Sequence, residues 1–475
     1  MNSDVFPSKN TLRMVHDHLL LPATYACCDM EANGFKVSTS KLLELETRYH
    51  DKLVEFVDRI RSFPEIKRVE KRIGKQFNVN SPDQVRDAIF NEFGLSSDGI
   101  ELTKKGQITG NSKLMSTGKE TFAKLKGSHE IIDLLKQQRK YSTLDKMFVR
   151  TIRPKYLCPD SRVHIPPKIH GTVTGRLSMS LLHQIPKNLD PDELGFDFDT
   201  ELNIKHLFVP TDDNYGILQA DYGQMELRVL AEYARDEAML EIFRTGQDIH
   251  IATGAKMAAI VYGNKPQYNQ ATGEFEVCNK QGIMEIIGKK SKWRKAAKAI
   301  NFGIIYGKGD DSLAEDLGCT VEEAKKFKVH YFAAFPQVKE FIEFVHAYVK
   351  EHKQVDTMFG NIRRLLSISS PQTGTRNEAL RQSVNAPVQG TSGHVTLCAL
   401  ININDILKKY KMRSKIVTTV HDSLVLDVYN KELDLVKSIV QTVMVNPVNR
   451  LIYWDWAVNL EVDIEYSNVS WAEVK

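Results

Sequence analysis

The stretch Gly-Ile-Leu-Gln-Ala-Asp-Tyr-Gly-Gln-Met-Glu-Leu-Arg, residues 216–228, decides the fold that this sequence predicts. Its apolar start is typical of a strand and its second half of a helix, so Asp221 ends the strand. A second apolar run, residues 415–428, carries Asp422 in the turn of a predicted hairpin. Mg²⁺ prefers oxygen ligands, and two such ions about 3.5–4 Å apart serve phosphoryl transfer. The two carboxylates therefore predict a metal-dependent phosphoryl-transfer site.

A basic helix is predicted between the two aspartates, over residues 292–307. Arg294, Lys298, Phe302 and Tyr306 recur at four-residue steps, so they form one stripe along it. Two cations suit a polyphosphate, and two aromatic rings suit a base and a sugar. The alternative is a solvated basic turn that leads into a buried aromatic face. A strand-ending aspartate alone is more often a cap or turn former, so the interpretation depends on the combination.

Length and composition indicate an ordinary globular protein with several subdomains. The chain has 475 residues, of which 42% are apolar and 26% charged. No apolar stretch approaches the roughly 20 residues that span a bilayer, and no signal or transit peptide is evident. The six scattered cysteines predict free thiols in a reducing compartment and no zinc site. We therefore expect a cytoplasmic protein without membrane contact, with an organelle as the alternative.

The distribution of charge suggests a polyanionic partner. Residues 104–155 contain thirteen Lys or Arg and four Asp or Glu, and residues 289–308 contain seven basic residues and no acid. Such stretches are candidate surfaces for a phosphate backbone, although solvated helix faces are an equal alternative for the first one.

Periodicity predicts an α+β chain. We expect strands at 216–221, 415–420, 423–428 and 457–465, clustered around the two aspartates. Predicted helices cover 40–62, 82–94, 128–150, 223–243, 292–307, 320–350 and 376–408. Residues 263–292 look like a surface insertion.

Three segments resemble motifs A, B and C of the DNA polymerase I family, known as family A. Motif A begins at Asp221-Tyr-Gly-Gln-Met-Glu and continues to Gly246-Gln-Asp-Ile-His250. Motif B runs from Arg294 to Gly307, and motif C is Val420-His421-Asp422. The resemblance extends from about residue 18 to residue 471. Further stretches similar to the family are found at residues 77–84, 172–178, 331–336 and 385–391.

The resemblance implies a right-hand fold with palm, fingers and thumb. The palm comprises 1–38, 159–245 and 390–475, the helical thumb 39–158, and the fingers 246–389. It also implies a DNA-directed DNA polymerase that uses two Mg²⁺ ions, with Mn²⁺ as a substitute. The expected partners are primer–template DNA and dNTPs, with a separate exonuclease, a helicase or a processivity factor as open additions. We expect a monomer from a phage or an organelle-related replicon, and leave replication and repair open.

The family's site residues map onto this chain position by position. Asp221 and Asp422 hold the metal ions with the Tyr222 carbonyl, and Lys298 donates a proton to pyrophosphate. The implied dNTP-binding residues are Gln224, Glu226, His250, Arg294, Lys298, Phe302 and Tyr306. Glu226 is implied to exclude ribonucleotides. A phenylalanine rather than a tyrosine at position 302 is associated in the family with discrimination against dideoxynucleotides. The implied minor-groove residues are Arg176, Arg381, Asn385, Gln389 and His421.

The sequence also departs from the family. Ser423 stands where many relatives carry a third acid, and Gly223 replaces a usual serine. The gap from His250 to Arg294 is more than twenty residues longer than expected. Only about seventeen residues precede the resemblance, so it predicts a polymerase core without a 3′–5′ exonuclease domain in cis. Alternatives are a catalytically silent DNA-binding replisome subunit and a related single-subunit polymerase that uses rNTPs; intact Asp221 and Asp422 argue against the first.

Overall fold

The computed structural model describes residues 9–474 except 112, 187–188, 190–193, 195, 448, 450 and 452–455. Its strands are β1 (Phe35–Lys36), β2 (Arg162–Val163), β3 (Tyr215–Tyr222), β4 (Gln267–Asn269), β5 (Glu274–Cys278), β6 (Met284–Ile287), β7 (Gln354–Asp356), β8 (Ile362–Arg364), β9 (Lys415–Val420), β10 (Ser423–Tyr429) and β11 (Val462–Ser467).

Helices make up most of the rest of the described chain. In chain order they are α1 (Leu12–Val15), α2 (Leu21–Asn33), α3 (Thr39–Ser62), α4 (Pro64–Ile73), α5 (Pro82–Asp87), α6 (Lys104–Thr109), α7 (Lys119–Lys124), α8 (Glu130–Leu144), α9 (Met225–Ala234), α10 (Glu237–Arg244), α11 (Ile249–Tyr262), α12 (Lys292–Ile305), α13 (Asp310–Leu317), α14 (Val321–Ala334), α15 (Pro336–His352), α16 (Thr373–Lys409) and α17 (Leu433–Val445).

A four-stranded antiparallel sheet positions the two aspartates. Its strand order is β11-β3-β10-β9, so β3 and β10 are central. Leu218, Ala220 and Tyr222 alternate along β3 and are buried, and the Tyr222 hydroxyl donates to the Met444 carbonyl of α17 at 2.8 Å. Because side chains alternate along a strand, Asp221 points to the opposite face. The predicted α+β class and the hairpin of β9 and β10 are confirmed, whereas β11 begins five residues after the predicted start at Ala457.

Two helices that the sequence predicted as continuous are each broken. The predicted helix 223–243 is divided into α9 and α10 at Arg235, which has φ +50°, and Asp236 caps α10 by accepting from the Met239 amide. The predicted helix 320–350 is divided into α14 and α15 at Phe335, because the residue before a proline avoids the helical region.

The predicted surface insertion at 263–292 is a folded element. β4, β5 and β6 form a three-stranded antiparallel sheet, which we call the insertion sheet. Phe275, Val277 and Ile287 are buried on one of its faces, which packs against α11.

All six cysteines are free thiols. Within the described part of the chain, no helix combines the length and apolar character needed to cross a bilayer.

Candidate active site

The sheet brings the two predicted metal ligands to one end of adjacent strands. Asp221 of β3 lies opposite Ser423 of β10 and opposite Asp463 of β11. Asp422 immediately precedes Ser423, in the two-residue turn between β9 and β10. His421, the first residue of this turn, has φ +55°, a left-handed conformation that few residues other than glycine adopt. The register therefore brings two aspartates that are 201 positions apart in sequence to the same end of neighbouring strands.

A buried carboxylate connects motif A to motif C. Arg176 Nη2 donates to Glu226 Oε1 at 2.6 Å and to Asp422 Oδ1 at 3.1 Å. The Tyr306 hydroxyl donates to Glu226 Oε2 at 2.9 Å, and the Gln389 side chain also hydrogen-bonds Glu226. Burial raises the pKa of Glu226; Arg176 opposes this shift and the Asp422 charge adds to it. We call Arg176, Glu226, Tyr306, Gln389 and Asp422 the carboxylate cluster.

Two glycines of α16 allow the loop that carries Arg176 to pack closely against the helix. A Cβ on Gly393 would lie 2.9 Å from Arg176 Cγ, and one on Gly390 would lie 2.7 Å from the Thr174 carbonyl oxygen. Since real Cβ atoms do not approach other atoms this closely, both positions require glycine for this packing. The loop is thus held directly against the helix backbone, which fixes the direction from which Arg176 reaches Asp422.

A second polar group lies between α11 and α12. Asp248 caps α11 by accepting from the His250 amide at 2.8 Å, and it also accepts from Arg294 Nη2 at 3.1 Å. Asn301 Nδ2 lies 3.0 Å from His250 Nδ1, so that a neutral imidazole accepting this bond carries its hydrogen on Nε2. Burial, with the cations of Arg294 and Lys298, lowers the pKa of His250 to about 4, against the opposing charge of Asp248. His250 can therefore offer an N–H donor rather than a positive charge at neutral pH.

Aromatic rings link these two groups. The Phe302 ring lies 5.6 Å from the His250 ring and 6.5 Å from the Tyr306 ring, with Phe302 and Tyr306 inclined by only 15°. Contacts therefore run without a break from His250 through Phe302 and Tyr306 to the carboxylate cluster. The four-residue stripe is confirmed as one side of α12, in which Lys298 is exposed to solvent.

The remaining predicted residues lie around this series. Gln224 has φ +54° just before α9. Arg381 packs on Gly307, where a Cβ would lie 2.6 Å from Arg381 Cγ. Asn385 Nδ2 is buried without a hydrogen-bond partner in the described structure, and the His421 ring lies 6.2 Å from that of His183. The side chain of Tyr222 is buried, so only its backbone carbonyl is a candidate ligand.

Sequence reasoning missed the residues that orient the predicted ones. Asp248 pairs with Arg294, and Asn301 contacts His250. Asp248 had a readable signal, because an aspartate just before a helix is a common N-cap. Nothing local marks Asn301 or His183, whose partners lie about 50 and more than 230 positions away, respectively.

The oxygen donors at the sheet end are of the type that divalent cations prefer. Mg²⁺ is usually bound by one or two carboxylates together with substrate phosphates, which is what Asp221 and Asp422 can offer. In the described part of the chain, no group of three or more His, Cys, Asp or Glu side chains is arranged to hold a metal ion. A cation already lies against Asp422, because the Arg176 guanidinium contacts it. Asp221 and Asp422 therefore suit a metal ion whose coordination is completed by substrate phosphates.

Comparison with known proteins identifies the family. The model of DNA polymerase family A matches residues 50–269 and 280–473, so this chain belongs to that family. The unmatched residues 270–279 fall in the insertion sheet. Members of the family use divalent metal ions.

Individual relatives agree with this assignment. The DNA polymerase I of Bacillus caldotenax is 30% identical over 471 residues, which cover 98% of this chain and 47% of the relative. The DNA polymerase of Bacillus phage SP01 is 29% identical in an alignment 475 positions long, which covers 90% of this chain and 47% of the relative. The chain thus spans about half the length of these curated relatives.

A solved structure shares the fold. The POL domain of Pol1 from M. smegmatis, in complex with DNA primer-template and dNTP, aligns with a TM-score of 0.77 at 25% identity. The alignment covers 97% of this chain and 71% of that one. The predicted polymerase fold is therefore confirmed.

Proposed function

We propose that the chain is a template-directed DNA polymerase that adds dNTPs to a primer 3′-hydroxyl by two-metal-ion phosphoryl transfer. The observation that carries this proposal is the unbroken series of contacts from His250 to Asp422. Because that series joins motifs A, B and C, the groups that suit a triphosphate and those that suit a metal belong to one site. Family membership supports the same conclusion.

Asp221, Asp422 and the Tyr222 carbonyl would hold two Mg²⁺ ions, with Mn²⁺ as a substitute. When bound, the metal ions lower the pKa of the primer hydroxyl and neutralise charge on the leaving pyrophosphate. Arg176 contributes before that, because its guanidinium screens the repulsion between Asp422 and Glu226. We infer that Arg176 leaves Asp422 and turns to the primer end when substrate enters.

The triphosphate would lie along α12. Arg294 and Lys298 supply positive charge, and His250 and Gln224 supply hydrogen-bond donors. Lys298 is solvent-exposed in the free protein, so it is available to meet the phosphates and to pass a proton to the departing pyrophosphate. Because His250 is neutral, it would contact the phosphates through a directed hydrogen bond rather than through a positive charge.

The sugar and base would meet the other end of α12. Glu226 hydrogen-bonds both Arg176 and Tyr306, so its side chain is held in one position. There it would clash with the 2′-hydroxyl of a ribonucleotide. Phe302 would stack on the sugar and base, and Tyr306 would occupy the template-base position until the fingers close. Discrimination against ribonucleotides follows from the fixed position of Glu226.

Primer–template DNA would lie across the sheet end. Arg176, Arg381, Asn385, Gln389 and His421 would contact the minor groove, where acceptors are common to all correct pairs. We retain the proposed palm at 1–38, 159–245 and 390–475, thumb at 39–158 and fingers at 246–389. The thumb would supply the basic surface within 104–155. We propose a monomer in the cytoplasm, which suits its free cysteines, with an exonuclease, helicase or processivity factor as further partners.

Extension of a labelled DNA primer on a recessed template tests the function. With Mg²⁺, we expect template-length products from dNTPs and almost none from rNTPs. Products from rNTPs at equal rates would instead assign the chain to the RNA-synthesising class. Tight duplex binding without any extension would refute the catalytic proposal and leave a DNA-binding subunit.

A further inference from the structure

The insertion sheet has its own apolar core and is anchored to the helix that carries His250. Phe275, Val277 and Ile287 are buried, and the Tyr268 and Phe275 rings pack with centroids 4.9 Å apart. Because side chains alternate between the two faces of a strand, these three residues lie on one face of the sheet. That face packs against α11. An element fixed in this way can transmit a mechanical constraint, which a loose loop cannot.

One tyrosine joins this sheet to both nucleotide-binding helices. Tyr262, the last residue of α11, donates its hydroxyl hydrogen to Glu285 Oε2 of β6 at 2.7 Å. The Tyr262 hydroxyl oxygen in turn accepts from Trp293 Nε1 of α12 at 3.3 Å. The Tyr262 and Trp293 rings also meet edge-on, with centroids 5.7 Å apart and planes inclined by 88°. We call Glu285, Tyr262 and Trp293 the brace.

The brace holds the end of α12 that carries Arg294. Trp293 directly precedes Arg294, and a Cβ on Gly254 of α11 would lie 2.8 Å from the Trp293 carbonyl carbon. The two helix backbones therefore touch at this point, with Arg294 tied to Asp248 at the start of α11. Lys292 Nζ, one residue before Trp293, lies 3.9 Å from Glu285 Oε1. The first turn of α12 is thus held by α11 on one side and by the insertion sheet on the other.

We propose that the insertion sheet is a positioning element for the nucleotide-binding helix, and that Tyr262 and Glu285 are positioning residues for Arg294. This inference rests on the proposed function, in which Arg294 grips the incoming triphosphate. Loss of the brace hydrogen bonds would let the first turn of α12 fluctuate, so that Arg294 spends less time where the phosphates bind. Binding of the dNTP would weaken, while Asp221, Asp422 and the DNA contacts would be unchanged.

The test compares Tyr262→Phe with Tyr268→Phe. Both changes delete one hydroxyl from a tyrosine of the same region, but only the first removes brace hydrogen bonds, those to Glu285 and from Trp293. We expect Tyr262→Phe to raise the KM for dNTP about three- to tenfold, within the range for one to two lost hydrogen bonds, with kcat within about twofold. The Kd for primer–template should not change, and Tyr268→Phe should match the wild type.

A second pair of variants separates positioning from folding. Glu285→Gln keeps an oxygen that accepts from Tyr262 and should stay within about twofold of the wild-type KM, whereas Glu285→Ala removes that acceptor and should raise the KM in the same direction as Tyr262→Phe. A merely structural role would lower the melting temperature and weaken primer–template binding along with dNTP binding. Equal KM values for Tyr262→Phe and Tyr268→Phe would overturn the inference.

Equilibrium binding of dNTP to the protein with a dideoxy-terminated primer–template distinguishes the two proposals, because no chemistry occurs. Weaker binding by Tyr262→Phe supports the brace even if the wild type extends no primer, an outcome that would refute only the catalytic proposal. Unchanged binding refutes the brace, whatever the extension assay shows.

Discussion

The carboxylate cluster and the α11–α12 pair are prepared for ligands in opposite ways. In the cluster, a cation already lies against the acids: Arg176 contacts both Glu226 and Asp422, and Glu226 is only 7% exposed. Between α11 and α12, Lys298 is exposed, and His250 is neutral at physiological pH. Arg176 partly neutralises the acidic half of the site, whereas the basic half keeps the exposed charge of Lys298 even though Arg294 is paired with Asp248.

This difference follows from the cost of leaving charge without a partner. Buried carboxylates close together repel each other strongly, so they need a cation before metal ions arrive. An exposed lysine is solvated by water and needs no internal partner. Changes on the acidic side should therefore disturb the proposed metal site and its electrostatics together, while changes on the basic side should act through the charge and the proton that α12 supplies to the triphosphate.

The largest effect is expected from removal of a catalytic carboxylate. Asp221→Ala or Asp422→Ala should lower kcat by at least about a thousandfold, because each change removes a proposed metal ligand. Duplex affinity, measured by fluorescence anisotropy, should stay within a fewfold of wild type. Glu465→Gln, on an exposed position of β11, is the control. Near-normal turnover in either alanine variant would contradict the metal assignment.

On the basic side, Lys298→Ala should lower kcat by about a hundredfold through loss of charge and of a proton donor. Lys295→Ala removes an equally exposed lysine from the same helix and should have little effect. Single-turnover kinetics on a matched primer would compare the two. If both variants lose the same activity, general positive charge on α12 matters and the position of Lys298 does not.

A smaller effect is expected on sugar selection, where the two halves meet. Glu226→Ala should increase rNTP relative to dNTP incorporation about 10- to 100-fold, because the side chain that would clash with the 2′-hydroxyl is lost. Glu226→Gln keeps the volume and should keep most of the discrimination. Ratios of kcat/KM would decide, and a Gln variant as permissive as the Ala variant would point to charge rather than shape.

The smallest effect concerns stability at acidic pH. The folded pKa of His250 is about 4, below the ordinary value of 6.5, so the unfolded chain binds the proton first. Stability is therefore present above pH 6.5 and is lost as the pH falls towards 4. His250→Gln should show a smaller fall in melting temperature from pH 7.5 to 5, and His352→Gln, an exposed control, should not. An identical fall in all three proteins would exclude His250 as the source.

Much of the fold was predictable because its signals are local. The apolar runs of β3, β9 and β10 and the repeat in α12 lie within single windows, and all four elements are confirmed. The break at Phe335 also had a local signal in Pro336, but the apolar repeat on both sides hid it. The insertion sheet was missed because short polar strands such as β4 lack a clear period, and because pairing among three strands is a tertiary property.

The candidate site was predictable in its membership but not in its connections. The motifs identify Asp221, Asp422 and Arg294, whereas the contacts of Arg176 with Glu226 and Asp422 join positions 50 and 246 apart. Such links depend on where Gly390 and Gly393 let a loop approach α16.

The strand order β11-β3-β10-β9 has a consequence for synthesis of the chain. Strand β3 ends at residue 222, but its first partner begins at residue 423 and its second at residue 462. At about 5–20 residues per second, the 201 residues from 222 to 423 take roughly 10–40 s to translate. During that time the apolar strand that ends in Asp221 has both edges open to pairing with other chains. This strand, which carries a proposed metal ligand, therefore emerges long before its partners, and its open edges are exposed to aggregation in that interval.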